Sequence, residues 1–498
     1  MTPTETAILV SYFFVLSILW LYGAHRFVLV FLYMKHKDRV PGPPPAVAEW
    51  PVVTVQLPIY NEMYVVDRLI DAVSDLEYPK DKLEIQILDD STDETTAIAE
   101  LATERLARCG FHITCLHRTD RTGFKAGALE AGMQVARGEF IAIFDADFVP
   151  PRDFLLRTVP YFVDQKLALV QARWGHLNPE YSLLTRVQAV LLDGHFVLEH
   201  GGRNRSGCFF NFNGTAGVWR RTAIIDGGGW QHDTLTEDLD LSYRTQLRGW
   251  KFLFLPDLVA PAEVPVEMNA FKKQQHRWAK GSIQTCRKIL PRILQSDLPF
   301  HVKAEAFFHL TANFNYLLMI VLSVLMFPAM IVRYTMGWTE MLLIDVPIFI
   351  MATLSVFNFY LVCQREIYPD WKRHVKYLPL VLAIGIGLAV NNAKAVLEAL
   401  VGHTSEFART PKYGIKRTQD DWQHKKYHLS MHVQPFIEVA LGLYFTGTVL
   451  YALANGIYGT VPFLVLFQFG FLYIGLSSLI QQFAGEGELA KAAQIAGK

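Results

Sequence analysis

Residues 140–147 read Phe-Ile-Ala-Ile-Phe-Asp-Ala-Asp, and the fold turns on this stretch. Phe140 to Phe144 is a short continuous apolar run, the form taken by a strand buried on both faces, and it stops on Asp145-Ala146-Asp147. Two earlier runs have the same form. Val52 to Leu57 (VVTVQL) leads into Pro58-Ile59-Tyr60-Asn61-Glu62, and Leu83 to Leu88 (LEIQIL) ends on Asp89-Asp90. Thr95 to Arg108 then has helical composition with a Thr/Asp-rich start. This alternation continues from Trp50 to about Leu290 and predicts an α/β domain with a largely parallel sheet. In such sheets ligands bind outside the carboxyl ends of the strands. Two strands deliver paired acidic residues to that edge.

Asp145 and Asp147 carry the most specific chemistry. Alternate residues leaving a strand can both reach one ion, and a hard divalent cation is held by one or two carboxylates plus phosphate oxygens. An isolated D-x-D is usually solvated loop acid; its position after FIAIF favours the ion. Asp89 and Asp90 can accept hydrogen bonds from a nucleobase or ribose, although Asp-Asp-Ser-Thr-Asp also suits a helix N-cap. Lys125 stands between Gly123 and Gly127, which suits close approach to phosphate. Thr236-Glu237-Asp238 follows Gly227-Gly228-Gly229-Trp230 and opens a helix-like stretch. Its carboxylates fit a proton acceptor and the acidic first turn of a helix equally well. In Gln274-Gln275-His276-Arg277-Trp278, Arg277 suits a pyrophosphate and Trp278 a sugar ring, while the cluster also suits a membrane-interface anchor.

Of the 498 residues, 51% are hydrophobic and 19% charged, with Lys plus Arg and Asp plus Glu balanced at 47 each. Balance at that level argues against a nucleic-acid partner. Cys109, Cys115, Cys208, Cys286 and Cys363 form neither a CxxC pair nor a zinc spacing, and read as reduced thiols. Ala7 to Ala24 is long enough to cross a bilayer, and Lys35, Lys37 and Arg39 follow it, so it reads as an anchor with everything after Lys35 in the cytosol. Pro41-Gly42-Pro43-Pro44-Pro45 reads as a stiff linker. Four further spans are expected: Phe314 to Val332, Met341 to Cys363, Phe436 to Ala454 and Val461 to Ile480. Basic residues flank Leu378 to Val390 on both sides, so this short run is expected to lie at the interface. Asn391 to Leu400 is expected to continue it as an amphipathic surface helix.

Six segments then combine into a resemblance. DDSTD at Asp89, GFKAGAL at Gly123, FDADF at Phe144, FNGTAG at Phe212, TEDLDL at Thr236 and QQHRW at Gln274 resemble, in order and spacing, the processive family 2 glycosyltransferases. These include the cellulose synthases and, more closely, the plant cellulose-synthase-like mannan and glucan synthases with their bacterial relatives. The resemblance covers most of Val52 to Leu290. It extends to Phe407-Ala408-Arg409-Thr410-Pro411-Lys412, similar to the family's F-x-V-T-x-K gating loop with Arg409 in place of valine.

The resemblance implies an α/β GT-A catalytic domain at 50–290, after an anchor at 1–34. It places membrane and interfacial helices at 300–485, with a gating loop at 403–420. Asp89 or Asp90, Lys125, Gln274, Arg277, Thr410 and Lys412 would bind the nucleotide sugar, and Asp145 with Asp147 would bind Mg²⁺ or Mn²⁺. Some cellulose synthases carry a further ligand after the second metal Asp; Phe148 offers none. Asp238 would be the base, giving inversion at C1. Trp278, Asn213, Gly214 and Thr215 would contact the acceptor. The implied donor is GDP-mannose or UDP-glucose and the acceptor a growing polysaccharide. The implied setting is the lipid bilayer, of a bacterial inner membrane or the Golgi, with the catalytic domain cytosolic. The tail after Gln481 is too short for a regulatory domain. A synthase moving one sugar to ceramide, diacylglycerol or polyprenyl phosphate is the alternative. An idle scaffold or transporter fits poorly with the intact acidic set.

Overall fold

The computed structural model describes residues 1–338, 342–403, 409–417, 419–422, 425–427 and 433–496, without the side chains of 342–344 and 484–496. Phe407 and Ala408 of the expected gating motif lie outside the described residues. The catalytic half is built on seven strands: β1 (Val53–Ile59), β2 (Leu83–Asp89), β3 (His112–His117), β4 (Phe140–Ile143), β5 (Leu167–His176), β6 (Gly217–Arg220) and β7 (Lys251–Ala262). Their order in the sheet is β3-β2-β1-β4-β6-β5-β7. The four strands from β3 to β4 are mutually parallel, as are β5 and β7.

Within the largely parallel sheet one strand is reversed. β6 runs antiparallel to both of its neighbours, β4 and β5. The chain reaches β6 at the edge where β4 ends, with the Ala216 amide donating to the Ile143 carbonyl at 2.9 Å. From there it can only descend against β4. The central strands β1, β2, β4 and β6 are buried along their whole length. Val53, Val55, Leu57, Ile85 and Ile87 are fully enclosed, and burying each such side chain is worth about 1.5–3 kcal/mol.

Eleven of the helices matter here, numbered in chain order. Within the catalytic half these are α2 (Phe124–Val135), α3 (Leu183–Gly194), α4 (Glu237–Leu247) and α5 (Met268–Gln295). Before them comes α1 (Pro3–His36), and after them α6 (Phe314–Thr335) and α7 (Leu342–Ile367). Next are α8 (Leu378–Gly387), α9 (Ala389–Leu400), α10 (Gln434–Ala454) and α11 (Val461–Ala496).

Among the described residues, five helices are long and apolar enough to cross a membrane, within α1, α6, α7, α10 and α11. The short apolar run expected at the interface forms α8, and the segment Trp371–Gly387 bends by 42° into α9. α8 meets α11 backbone to backbone. A Cβ on Gly387 would stand 2.3 Å from the Gly470 carbonyl oxygen, and one on Gly470 2.1 Å from that of Ala383. α9 lies along α5, where Glu398 accepts from Lys280 Nζ at 2.9 Å and the Ala399 carbonyl from Arg287 at 2.6 Å.

Candidate active site

A cleft open to solvent, with a cavity volume of about 160 Å³, lies at the carboxyl ends of β1, β2 and β4. α2, α4 and α5 supply side chains to it, and the segment Arg409 to Lys412 closes part of its wall.

The β4 end supplies Asp145 and Asp147, and each carboxylate carries a lysine. Lys125, in the first turn of α2, donates to Asp145 Oδ1 at 2.5 Å and to the Gly214 carbonyl at 2.9 Å. Lys412 donates to Asp147 Oδ2 at 2.7 Å and to the Glu263 carbonyl at 2.8 Å. Glu263 fixes the loop behind Lys412 by accepting the backbone amides of Tyr413 and Gly414, at 3.0 and 2.9 Å. Burial works against the charge of Lys125, but Asp145, Glu237 and Asp238 outweigh it and raise its pKa. Two hard oxygen donors here already attract two cationic groups. Among the described residues no third His, Cys, Asp or Glu joins them in a closed metal cage. That donor set fits a divalent cation that completes its shell with water and substrate phosphate oxygens, as Mg²⁺ commonly does.

The start of α4 differs. Asp238 accepts the Leu239 amide at 2.7 Å. Burial and then the neighbouring Glu237 push its carboxyl up to about 7, with Lys125 and Arg277 pulling the other way. A carboxyl titrating there can take a proton near neutral pH. Gly214 has φ +80°, and a Cβ on it would stand 3.0 Å from Asp238 Oδ2, so only glycine fits this close approach. α4 in turn is pressed on α5, because a Cβ on Gly281 would meet Thr236 at 2.5 Å.

α5 places Gln274, Arg277 and Trp278 at i, i+3 and i+4, one face of a helix, and all three line the cleft. Burial lowers the Arg277 pKa, opposed by Glu237, Asp145 and Asp238 around it. Asn213 and Gly214 also line the cleft, as do Thr410 and Lys412. Thr215 does not. It is buried behind the wall, where its hydroxyl accepts the Asp145 amide at 2.9 Å.

Asp89 and Asp90 separate cleanly. Asp90 lines the cleft and is held by Arg118 through Nε and Nη2, at 2.8 and 2.6 Å. Asp89 is fully buried beneath it. Its carboxylate takes the Thr96 hydroxyl at 2.7 Å, the Ser91 amide at 3.0 Å and His117 Nδ1 at 2.8 Å.

Several cleft residues escaped the sequence reading. Glu62 lies just past β1, its carboxyl pushed up to about 7 by burial, with Arg409 opposing and Asp147 adding to the shift. Its place after a strand end was the available signal. The Arg121 guanidinium stacks 3.3 Å above the Tyr60 ring, and Arg409 donates to the Tyr60 carbonyl at 2.7 Å. Trp174 and His176, from the end of β5, also reach the cleft; nothing in their local sequence marks them.

Comparison with known proteins agrees with this geometry. Residues 51–281 match the family described as glycosyltransferase like family 2. Over 251 residues the chain is 48% identical to probable glucomannan 4-beta-mannosyltransferase 7 of Oryza sativa subsp. japonica, which covers 49% of this chain and 43% of that protein. Over 254 residues it is 45% identical to glucomannan 4-beta-mannosyltransferase 2 of Arabidopsis thaliana, covering 50% of this chain and 48% of the relative. The matched region thus spans about half the length of these curated relatives. The mannosyltransferase PcManGT from Pyrobaculum calidifontis, solved in complex with GDP-Man and Mn²⁺, superposes with a TM-score of 0.50 at 20% identity. That superposition covers 78% of this chain and all of the other, and it is a likeness of fold. Residues 51–281 of this chain thus match the family 2 glycosyltransferase model, on a GT-A fold.

Proposed function

We propose that the chain is an inverting, metal-dependent hexosyltransferase that polymerises a β-linked mannan or glucomannan from GDP-mannose, with UDP-glucose as the other candidate donor. The observation that carries this reading is the placement of Asp238. It is a half-buried carboxyl pushed up to about 7, flanked by Gly214 and facing a cleft that also holds Asp145, Asp147 and the α5 trio. The named relatives, which are glucomannan 4-beta-mannosyltransferases, point to mannose over glucose.

In this reading Asp145 and Asp147 hold Mg²⁺ or Mn²⁺, which when bound supplies positive charge to the departing diphosphate. Lys125 and Lys412, relieved of their aspartates, turn to the phosphate oxygens, with Arg277 beside them. Asp90 and the Arg121–Tyr60 stack lie at the β1–β2 end and take the nucleoside. Asp238 takes the proton from the attacking acceptor hydroxyl, which approaches from the side opposite the leaving group and so inverts C1. Trp278 stacks on the acceptor ring, a contact dominated by apolar burial.

The apolar helices support a membrane setting, and the basic residues Lys35, Lys37 and Arg39 at and just beyond the end of α1 favour a cytosolic catalytic domain. Packing of α9 on α5 supports the reading of α8 and α9 as an interfacial pair. The test is a donor screen on the purified protein in lipid nanodiscs, with the products sized. GDP-mannose should support saccharides well beyond a disaccharide without added lipid acceptor, and Trp278→Ala should collapse elongation. A lipid carrying a single hexose as the only product would replace this reading with the glycolipid alternative.

A further inference from the structure

Hydrogen bonds lead out of the cleft from Asn213. This residue precedes Gly214, which abuts Asp238, so it flanks the proton acceptor. Asn213 Nδ2 lies 2.8 Å from His195 Nε2, and His195 Nδ1 lies 2.9 Å from Glu199 Oε2. The two contacts define the imidazole: Nε2 accepts from the amide, and Nδ1–H donates to the carboxylate. His195–His200 is a π-helical stretch continuing α3, a distortion frequent at functional sites. Asn213 Oδ1 is buried and has no protein partner among the described residues.

The surroundings place this pair where the catalytic domain meets the membrane helices. A Cβ on Gly194, one residue before His195, would stand 2.6 Å from the Tyr360 ring and 2.8 Å from Phe359, both on α7. Glu199 also pairs with Arg203 at 3.3 Å; Arg203 pairs with Glu305 at 2.9 Å, and Glu305 with His25 of α1 at 2.8 Å. Despite this packing the side chains of His195 and Glu199 keep 26% and 30% of their surface accessible. Burial resists the charge on Glu199, but Arg203 and His195 outweigh it and hold the carboxyl below its usual range. An ionised carboxylate repels a diphosphate and attracts hydroxyl donors. His195, with both ring nitrogens engaged, fixes the other two side chains, and the Asn213 amide adds its second N–H donor and its Oδ1 acceptor, so the set suits a neutral polyhydroxyl ligand.

We infer that Asn213, His195 and Glu199 form a second sugar subsite, which binds the hydroxyls of hexose units already joined to the chain, behind the unit that reacts at Asp238. This rests on the polymer-synthase reading above. Its role is to keep the product seated after each transfer while the chain moves towards α1 and α7.

The test is the dependence of acceptor KM on acceptor length, using the full chain in nanodiscs, its preferred donor and β-linked oligosaccharides of the matching sugar. In the wild type, KM should fall as the acceptor grows from about two to six units, because remote contacts add binding. In His195→Ala and Glu199→Gln that fall should vanish, leaving KM for the longest acceptor about tenfold higher. The KM of the nucleotide sugar should move by less than about twofold. A purely structural role would shift kcat and donor KM alike for every length. Glu199→Gln keeps the shape and hydrogen-bonding reach of the carboxylate, which guards against a folding defect in the alanine variant. An unchanged length dependence in both variants overturns the subsite while leaving polymer synthesis intact. A wild type that extends no oligosaccharide but glycosylates lipid overturns both.

Discussion

The end of β4 and the start of α4 face the same cleft with the same residue type and treat it in opposite ways. At β4, Asp145 and Asp147 are each matched by an ammonium group, from Lys125 and Lys412. At α4, Asp238 has a carboxyl for its neighbour, and burial beside Glu237 lifts it to about 7. Neutralised carboxylates hold charge; a carboxyl kept from ionising easily takes up a proton. Neighbours, rather than residue identity, divide the work between the two places.

The comparison breaks most severely if Asp238 can be spared. Asp238→Asn keeps the shape but cannot accept a proton, so sugar transfer should fall by roughly 10²–10⁴-fold, the usual worth of general-base catalysis. Nucleotide binding, followed by calorimetry, should survive. A folded variant with most of its turnover would move the proton acceptor elsewhere.

The β4 side predicts a loss of a different kind. Asp145→Ala and Asp147→Ala should each reduce transfer by about 10²-fold, the rate equivalent of losing a few kcal/mol of metal-borne charge stabilisation. Here donor binding should weaken as well. Excess chelator should give the same loss in the wild type. Full activity with the chelator would make the aspartate pair a structural partner of the two lysines.

The smallest effect sharpens the contrast. Because the Asp238 pKa is raised, the protonated form dominates below about 7 and cannot act as base. kcat/KM should therefore fall about tenfold for each pH unit below that value and level off above it. A profile flat from pH 5 to 8, about the range between ordinary carboxyls and this one, would show that the α4 carboxyl is ionised throughout.

Legibility in the sequence followed the range of the interactions involved. Asp145 and Asp147 could be placed because a buried strand that stops on acids delivers them to the sheet edge whatever the rest of the chain does. The same holds for Gln274, Arg277 and Trp278, whose spacing alone gathers them on one helical face. Asp89 and Asp90 could not be told apart, since successive residues leave a strand in opposite directions. The choice was made by Thr96, His117 and Arg118, which arrive from other elements. Thr215 likewise looked like an acceptor contact until the Asp145 amide claimed its hydroxyl. The reversal of β6 depends on where the chain re-enters the sheet, and no local pattern encodes that. The tie between Lys412 and Glu263 spans 149 residues and was equally invisible.

α5 has a consequence for anyone wishing to handle the catalytic half as a soluble protein. The helix runs 28 residues, about 42 Å, and carries Gln274, Arg277 and Trp278 on the cleft side. Two of its buried lysines and its first amide are held by segments beyond residue 390. Lys272 is 5% exposed and pairs with Glu438 at 2.7 Å; Lys280 is fully enclosed and pairs with Glu398 at 2.9 Å. The Met268 amide donates to Gln481 Oε1 at 2.7 Å. A truncation placed after α5 would strip both lysines of their counter-charges and open an apolar flank to water. Stranding one member of a buried pair typically costs about 3–5 kcal/mol, and the pieces lost at Lys272 and Lys280 border the helix that presents the cleft. The boundary suggested by the family match is therefore a poor place to cut, and expression designs should carry the chain through α11.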